Sequence, residues 1–186
     1  MPSDSETYTI EKVKSLIKTY PDFPQEGILF RDIFPIFQIP AAVDCLINYL
    51  AELALEEAKS AKCGKIDVVV GLDARGFLFG PSLAIKLGAK FVPIRKRGKL
   101  PGPTIKYEYQ KEYGLDVLEI QSDAILPGEN VLIVDDLLAT GGTCGAAEKL
   151  VLNLGGRVIL NQFVIELVGL GGRKSLSGKT MSVMEF

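Results

Sequence analysis

Histidine is absent from all 186 residues. That excludes a Ser-His-Asp or Cys-His arrangement and any histidine-based metal site. Acid–base work falls to carboxylates, Tyr, Lys or the substrate, and any metal is expected to be a hard ion held mainly by substrate oxygens. Cysteine is scarce: Cys45, Cys63 and Cys144 are an odd number without metal-ligand spacing, which points to reduced thiols in a cytoplasmic setting. No apolar run approaches the roughly 20 residues of a bilayer span. The opening MPSDSETYTI lacks a basic region followed by an apolar one, so neither membrane contact nor a signal peptide is expected. Charge of one sign is not in excess either. A formal net charge of −2 argues against nucleic-acid binding through bulk charge. What is present is 47% hydrophobic and 24% charged residues, the balance of a globular domain with a real core.

Along the chain, apolar runs and helical patterns alternate. The spacing predicts helices over Tyr8–Tyr20, Pro40 to about Ser60, Pro81–Leu87 and Thr143–Leu154, with Gly88 and Gly155 as stops. Ile66–Val70, Phe91–Ile94 and Val131–Val134 read as buried strands, and Val158–Leu167 as a final pair of strand-like segments. Such alternation predicts an α/β fold, a mostly parallel sheet flanked by helices. Two stretches fall outside it. Residues 1–37 form an N-terminal segment set apart from a core over 38–186, and Lys96–Gly114 is basic, aromatic and punctuated by Gly and Pro. Both are expected to cap the ligand-binding edge of the sheet, the second as a flexible lid loop that excludes water.

The segment Val131–Thr143, VLIVDDLLATGGT, is the most informative. An apolar strand delivers Asp135 and Asp136 to its tip, where open α/β sheets bind ligands. Adjacent carboxylates repel unless something bridges or separates them, and ribose hydroxyls, which donate to carboxylates, are suited to that. The alternative is a solvated strand end or a helix-capping acid. Thr140-Gly141-Gly142-Thr143 then supplies successive backbone N–H groups and two hydroxyls at a helix start, a ready anion site. It has neither the Lys nor the spacing of an ATPase phosphate loop, and its plainer reading is a glycine turn with a Thr cap. The implied ligand carries both hydroxyls and a phosphate.

Strand, two acids, small linker and Thr-Gly-Gly-Thr together resemble the 5-phosphoribosyl-1-pyrophosphate (PRPP) motif of the type I phosphoribosyltransferase family. Four other segments extend the likeness to the adenine phosphoribosyltransferase branch of that family, from about Phe23 to Arg173. They are Gly71–Phe77 (GLDARGF), Phe23-Pro24 with Gly27–Asp32 (GILFRD), Arg95–Pro103 (RKRGKLPGP) and Glu112-Tyr113-Gly114. Ala74 stands where some members carry Ser, and Gly169–Arg173 follows the family's C-terminal pattern loosely.

The resemblance implies a type I fold with an N-terminal hood, and residue roles at the site. Asp135 and Asp136 would hold the ribose 2′- and 3′-hydroxyls, and Ala139, Thr140, Gly141, Gly142 and Thr143 the 5′-phosphate. Arg75, following a cis peptide before Ala74, would take the pyrophosphate with Lys96 and Lys99. Arg95 would reach the partner's site in a homodimer. Leu29, Phe30 and Arg31 would form the hood over adenine, and Glu112 and Tyr113 the catalytic pair. The reaction implied is displacement of pyrophosphate from C1 of PRPP by N9 of adenine, giving AMP, with Mg²⁺ held mainly by PRPP and water and no direct protein ligand. Read without the resemblance, Arg75 is a surface ion pair, Ile28–Phe30 core packing and Glu112 a solvated acid. Two rivals are a phosphoribosyltransferase for another purine and a PRPP-sensing regulator without catalysis. The regulator should bring a DNA-binding domain or a basic face.

Overall fold

The computed structural model describes residues 8–111 and 114–186. They divide into two compact units, with the boundary between Tyr49 and Leu50. The first unit opens with α1 (Ile10–Ser15), whose N-terminus is capped by Thr9 Oγ1 accepting from Lys12 N at 3.4 Å. The helix expected to reach Tyr20 stops at Ser15 because Lys18–Pro21 (β1) pairs antiparallel with Leu29–Asp32 (β2). Strand pairing here overrides a modest helical pattern. A short helix α2 (Phe34–Phe37) follows, and α3 (Pro40–Ser60) runs over the predicted span and across the boundary between the units.

The second unit is built on a seven-stranded sheet. Its strands are β3 (Val68–Leu72), β4 (Lys90–Lys96), β5 (Thr104–Lys111), β6 (Gly114–Gln121), β7 (Asn130–Leu138), β8 (Arg157–Glu166) and β9 (Thr180–Glu185), in the order β5-β6-β4-β3-β7-β8-β9. β4, β3, β7, β8 and β9 are parallel, and β5–β6 is an antiparallel hairpin added at one edge. Between the strands lie α4 (Gly80–Leu87) and α5 (Gly142–Asn153). Val68–Leu72 is buried along its whole length, as a strand covered on both faces must be. Val68, Val70, Val131 and Ile133 pack with Ala147, Leu150 and Val151 of α5, and this layer is the centre of the core.

Four differences from the sequence reading bear on the site. β7 does not end at Val134: it continues through both acids to Leu138, because its pairing with β8 runs on to Leu138↔Glu166. The stretch expected to be loop up to Gly114 contains β5, which pairs residue by residue with β6 from Thr104↔Gln121 to Lys111↔Gly114. The predicted pair of terminal segments is a single strand, β8. β9 carries little local signal and is held by its parallel partner β8. No helix among the described residues is long and apolar enough to cross a membrane.

The C-terminal segment is fastened to α5 by a buried acid. Glu148, 2% exposed, accepts from Asn161 Nδ2 at 2.6 Å, Ser177 N at 2.9 Å, Ser177 Oγ at 2.7 Å and Gly178 N at 2.8 Å. Burial alone would raise its pKa, but these bonds outweigh burial and hold the carboxyl below its ordinary range. Glu148→Ala leaves several buried donors without an acceptor and is expected to destabilise the protein by about 2–4 kcal/mol in urea titrations at pH 7. A depressed folded-state pKa stabilises above the unfolded value. The difference between wild type and variant should therefore shrink as pH falls below about 4.

Candidate active site

Three loops leave the C-terminal ends of β3, β4 and β7 at one edge of the sheet, where a parallel α/β sheet places its ligands. The first, after β3, holds the cis peptide Asp73–Ala74 that the resemblance implied. It approaches β7 so closely that a Cβ on Gly76 would lie 2.6 Å from Val134 O. This approach brings Arg75 Nε to 2.9 Å from Asp136 Oδ2.

The acid pair belongs to β7 itself. Because side chains alternate along a strand, Asp135 continues the face of Val131 and Ile133, and Asp136 the face of Leu132 and Val134. The two side chains thereby leave the strand on opposite faces, yet their carboxyls still interact. Asp135 Oδ1 accepts from Asp136 N at 2.9 Å. Burial, reinforced by the neighbouring Asp136 charge, pushes the Asp135 carboxyl well above the usual range. Burial also raises Asp136, though the Arg75 guanidinium opposes the shift. A solvated strand end does not describe this pair. Asp136 is 5% exposed, and both acids lie where extra hydrogen-bond donors stabilise their charge.

The third loop, Ala139–Thr143, leads into α5, which begins at Gly142. Gly141 has φ 84°, a left-handed conformation, and its Cα lies against Gly172 O so that any Cβ would collide with that oxygen. A cavity of about 90 Å³ is formed here, lined by Asp135 and the loop residues Ala139, Thr140, Gly141, Gly142 and Thr143. It joins a carboxylate to helix-start amides, the combination suited to a ligand with hydroxyls on one side and a phosphate on the other.

Behind the loop stand residues that the sequence reading did not single out as site residues. Ser175 Oγ donates to Thr140 O at 3.1 Å, and the Tyr109 hydroxyl lies 3.2 Å from Thr143 Oγ1. The Gly171-Gly172 pair was a visible signal for the close approach at Gly141. Tyr109 had none, because its place depends on the β5–β6 hairpin.

In the basic run, Lys96 and Lys99 are exposed, with Lys96 Nζ 3.9 Å from Asp116 Oδ2. Arg95 is turned onto its own chain. Its Nε lies 2.9 Å from Asp73 Oδ2, its Nη1 donates to Lys99 O at 3.1 Å, and its guanidinium carbon is 5.8 Å from the Phe77 ring centroid. Glu112 and Tyr113 lie outside the described residues. In the first unit, Leu29, Phe30 and Arg31 form most of β2. Leu29 is 51% exposed, which is not core packing. Phe30 meets Phe23 edge to face at 5.0 Å, and Arg31 Nη1 donates to Thr19 Oγ1 at 2.5 Å.

Residues 36–166 match the phosphoribosyl transferase domain, which sets the class of the protein. The chain is 50% identical over 173 residues to the adenine phosphoribosyltransferase of Yarrowia lipolytica, covering 93% of each chain. It superposes on the Saccharomyces cerevisiae adenine phosphoribosyltransferase complexed with D-2,5-dideoxy-2,5-imino-altritol 1,6-bisphosphate and adenine with a TM-score of 0.89, at 48% identity, covering 94% of this chain and 98% of that one. With the enzyme of Thermoanaerobacter pseudethanolicus the TM-score is 0.88 at 49% identity, covering 96% of this chain and 100% of that one. The chain belongs to the adenine phosphoribosyltransferase family, and its fold is the type I fold of that family.

Because Asp135 is an acid whose burial opposes ionisation, Asp135→Asn is expected to stabilise the fold by about 1–2 kcal/mol at pH 7. A raised folded-state pKa costs stability above that pKa. The cost fades as pH falls towards the unfolded value, so the gain of the variant should disappear in acid. Thermal melts across pH test both signs, and a variant less stable than wild type at pH 7 would contradict the assignment.

Proposed function

We propose that the chain is a purine-salvage enzyme that transfers the phosphoribosyl group of PRPP to adenine, giving AMP and pyrophosphate. The observation that carries the reading is the cavity in which the phosphate loop adjoins the half-buried carboxylate of Asp135 on the β7 tip. The amides and hydroxyls of Ala139–Thr143 take the 5′-phosphate. Asp135 and Asp136 accept the ribose hydroxyls, which relieves the burial of both charges. A hydroxyl arriving at Asp136 competes with Arg75, so the guanidinium beside it is already placed to turn to the pyrophosphate, where a planar fork suits the oxygens. The Asp73–Ala74 loop, Lys96 and Lys99 complete the pyrophosphate side.

Mg²⁺ fits this donor set as an ion carried by the substrate. No group of three or more His, Cys, Asp or Glu side chains suited to a metal occurs among the described residues, and Mg²⁺ ordinarily keeps its waters and substrate oxygens. When bound, it neutralises charge on the leaving pyrophosphate. The chain itself fixes the sugar so that C1 lies between the attacking N9 and the departing oxygen, and it needs no protein nucleophile. Glu112 exchanges a proton with the purine, and Tyr113 steadies the pyrophosphate. Leu29, Phe30 and Arg31 recognise adenine. A backbone C=O and N–H pair there matches its amino group and ring nitrogen, and a 6-oxo purine leaves the pair mismatched at a cost of about 1–3 kcal/mol per group. A cytoplasmic homodimer completes the reading, with Arg95 serving the partner's site.

Pyrophosphate release measured with adenine, guanine and hypoxanthine singly should show turnover with adenine alone. Guanine accepted and adenine refused would overturn the assignment. Glu112→Gln is expected to lower kcat about 100-fold while leaving PRPP affinity nearly unchanged. An unaltered kcat would remove Glu112 from the mechanism.

A further inference from the structure

The turn that carries the basic run is organised around a carboxylate outside the family motifs. Glu119 lies on β6 and is 2% exposed. Its Oε1 accepts from Lys99 N at 2.9 Å and Leu100 N at 3.0 Å, and its Oε2 accepts from Thr104 Oγ1 at 3.3 Å. Two successive amides converge on one anion, the arrangement in which backbone nests bind phosphate, here filled by the chain's own acid. Burial opposes the charge, but the amides overcome it and keep the carboxyl below its ordinary range.

The turn is tied onward to the pyrophosphate loop. Lys99 O accepts from Arg95, Arg95 holds Asp73, and Asp73 begins the cis peptide before Ala74 and Arg75. Arg95 and Glu119 are register partners across β4 and β6. One continuous path therefore joins the Glu119 carboxylate, the turn 98–100, Arg95 and the loop that carries Arg75.

We propose that Glu119 is a positioning residue for the pyrophosphate half of the site: it fixes the turn 98–100 so that the basic run and the Asp73–Arg75 loop face the same group. The proposal rests on the reading that Arg75, Lys96 and Lys99 serve pyrophosphate. Glu119 itself touches no substrate. Its removal should separate two ligands that a general loss of stability would weaken together, because ribose 5-phosphate uses only the acid pair and the Ala139–Thr143 loop.

The test is calorimetric titration of the full chain, wild type and Glu119→Ala, with inorganic pyrophosphate in the presence of Mg²⁺ and separately with ribose 5-phosphate. Pyrophosphate affinity is expected to fall about tenfold while ribose 5-phosphate affinity stays within about twofold. Trypsin should cleave after Arg97 and Lys99 faster than in wild type. Glu119→Gln, which keeps an acceptor for the amides, should recover most of the loss. If the alanine variant fails to fold, the glutamine variant and Thr104→Val must show the same split on a smaller scale. Parallel weakening of both ligands, or no change in either, overturns the proposal. The double change Lys96→Ala with Lys99→Ala separates the two failures. If it weakens pyrophosphate and Glu119→Ala does not, the positioning role is wrong. If neither variant affects pyrophosphate, the reading of the basic run is wrong and the positioning role falls with it.

Discussion

The site depends on β7 outlasting its apolar run. Parallel pairing with β8 continues past Val134 to Leu138, so Asp135 and Asp136 are residues of a strand and are not loop acids. Strand geometry starts them on opposite faces and withdraws both from water, which raises both, and the neighbouring Asp136 charge raises Asp135 further. Neither the opposed faces nor the burial is available to two acids on a mobile turn. The strand tip thus holds charge in a state that hydroxyl donors improve. Arg75 already supplies part of that improvement on one side.

Two kinds of acid stand out in the second unit. Glu119, Glu148 and Glu166 are surrounded by donors: backbone amides for the first, amides with Asn161 and Ser177 for the second, and the Arg173 guanidinium with Ser182 for the third. All three are held below the ordinary range, as satisfied structural carboxylates are. Asp135 and Asp136 are raised. The sign of the shift separates the acids that brace loops from the pair at the β7 tip. The bracing acids also reach the Ala139–Thr143 loop. Glu148 fastens the segment that leads from Gly172 and Ser175, and those two residues press on the loop from behind.

Much of this arrangement was legible in the chain. The apolar run into two acids and Thr-Gly-Gly-Thr marked the strand, the turn and the helix start, because a strand-to-helix anion site is built from neighbouring residues. Pro40–Ser60 and the helix ended by Gly88 were readable for the same reason, their signals being periodic or local. The hairpin β5–β6 was not. Its residues carry glycines, prolines and mixed charge, and their strand character comes from pairing with each other and, through Arg95↔Glu119 and Lys96↔Leu118, with β4. Tyr109 reached Thr143 only through that pairing.

By itself, then, the sequence determined the central strands and the helices between them, the kind of ligand they meet and the family to which the chain belongs. Each of these is written in short runs of residues that act on their neighbours. The tertiary structure alone decided that β7 carries its acids inside the sheet, that Arg75 lies on Asp136, that Arg95 binds Asp73 and that Glu119 and Glu148 anchor the loops. These contacts join residues from 13 to 61 positions apart, except for Asp135 and Asp136 themselves, and their partners become neighbours only when the strands of the sheet align.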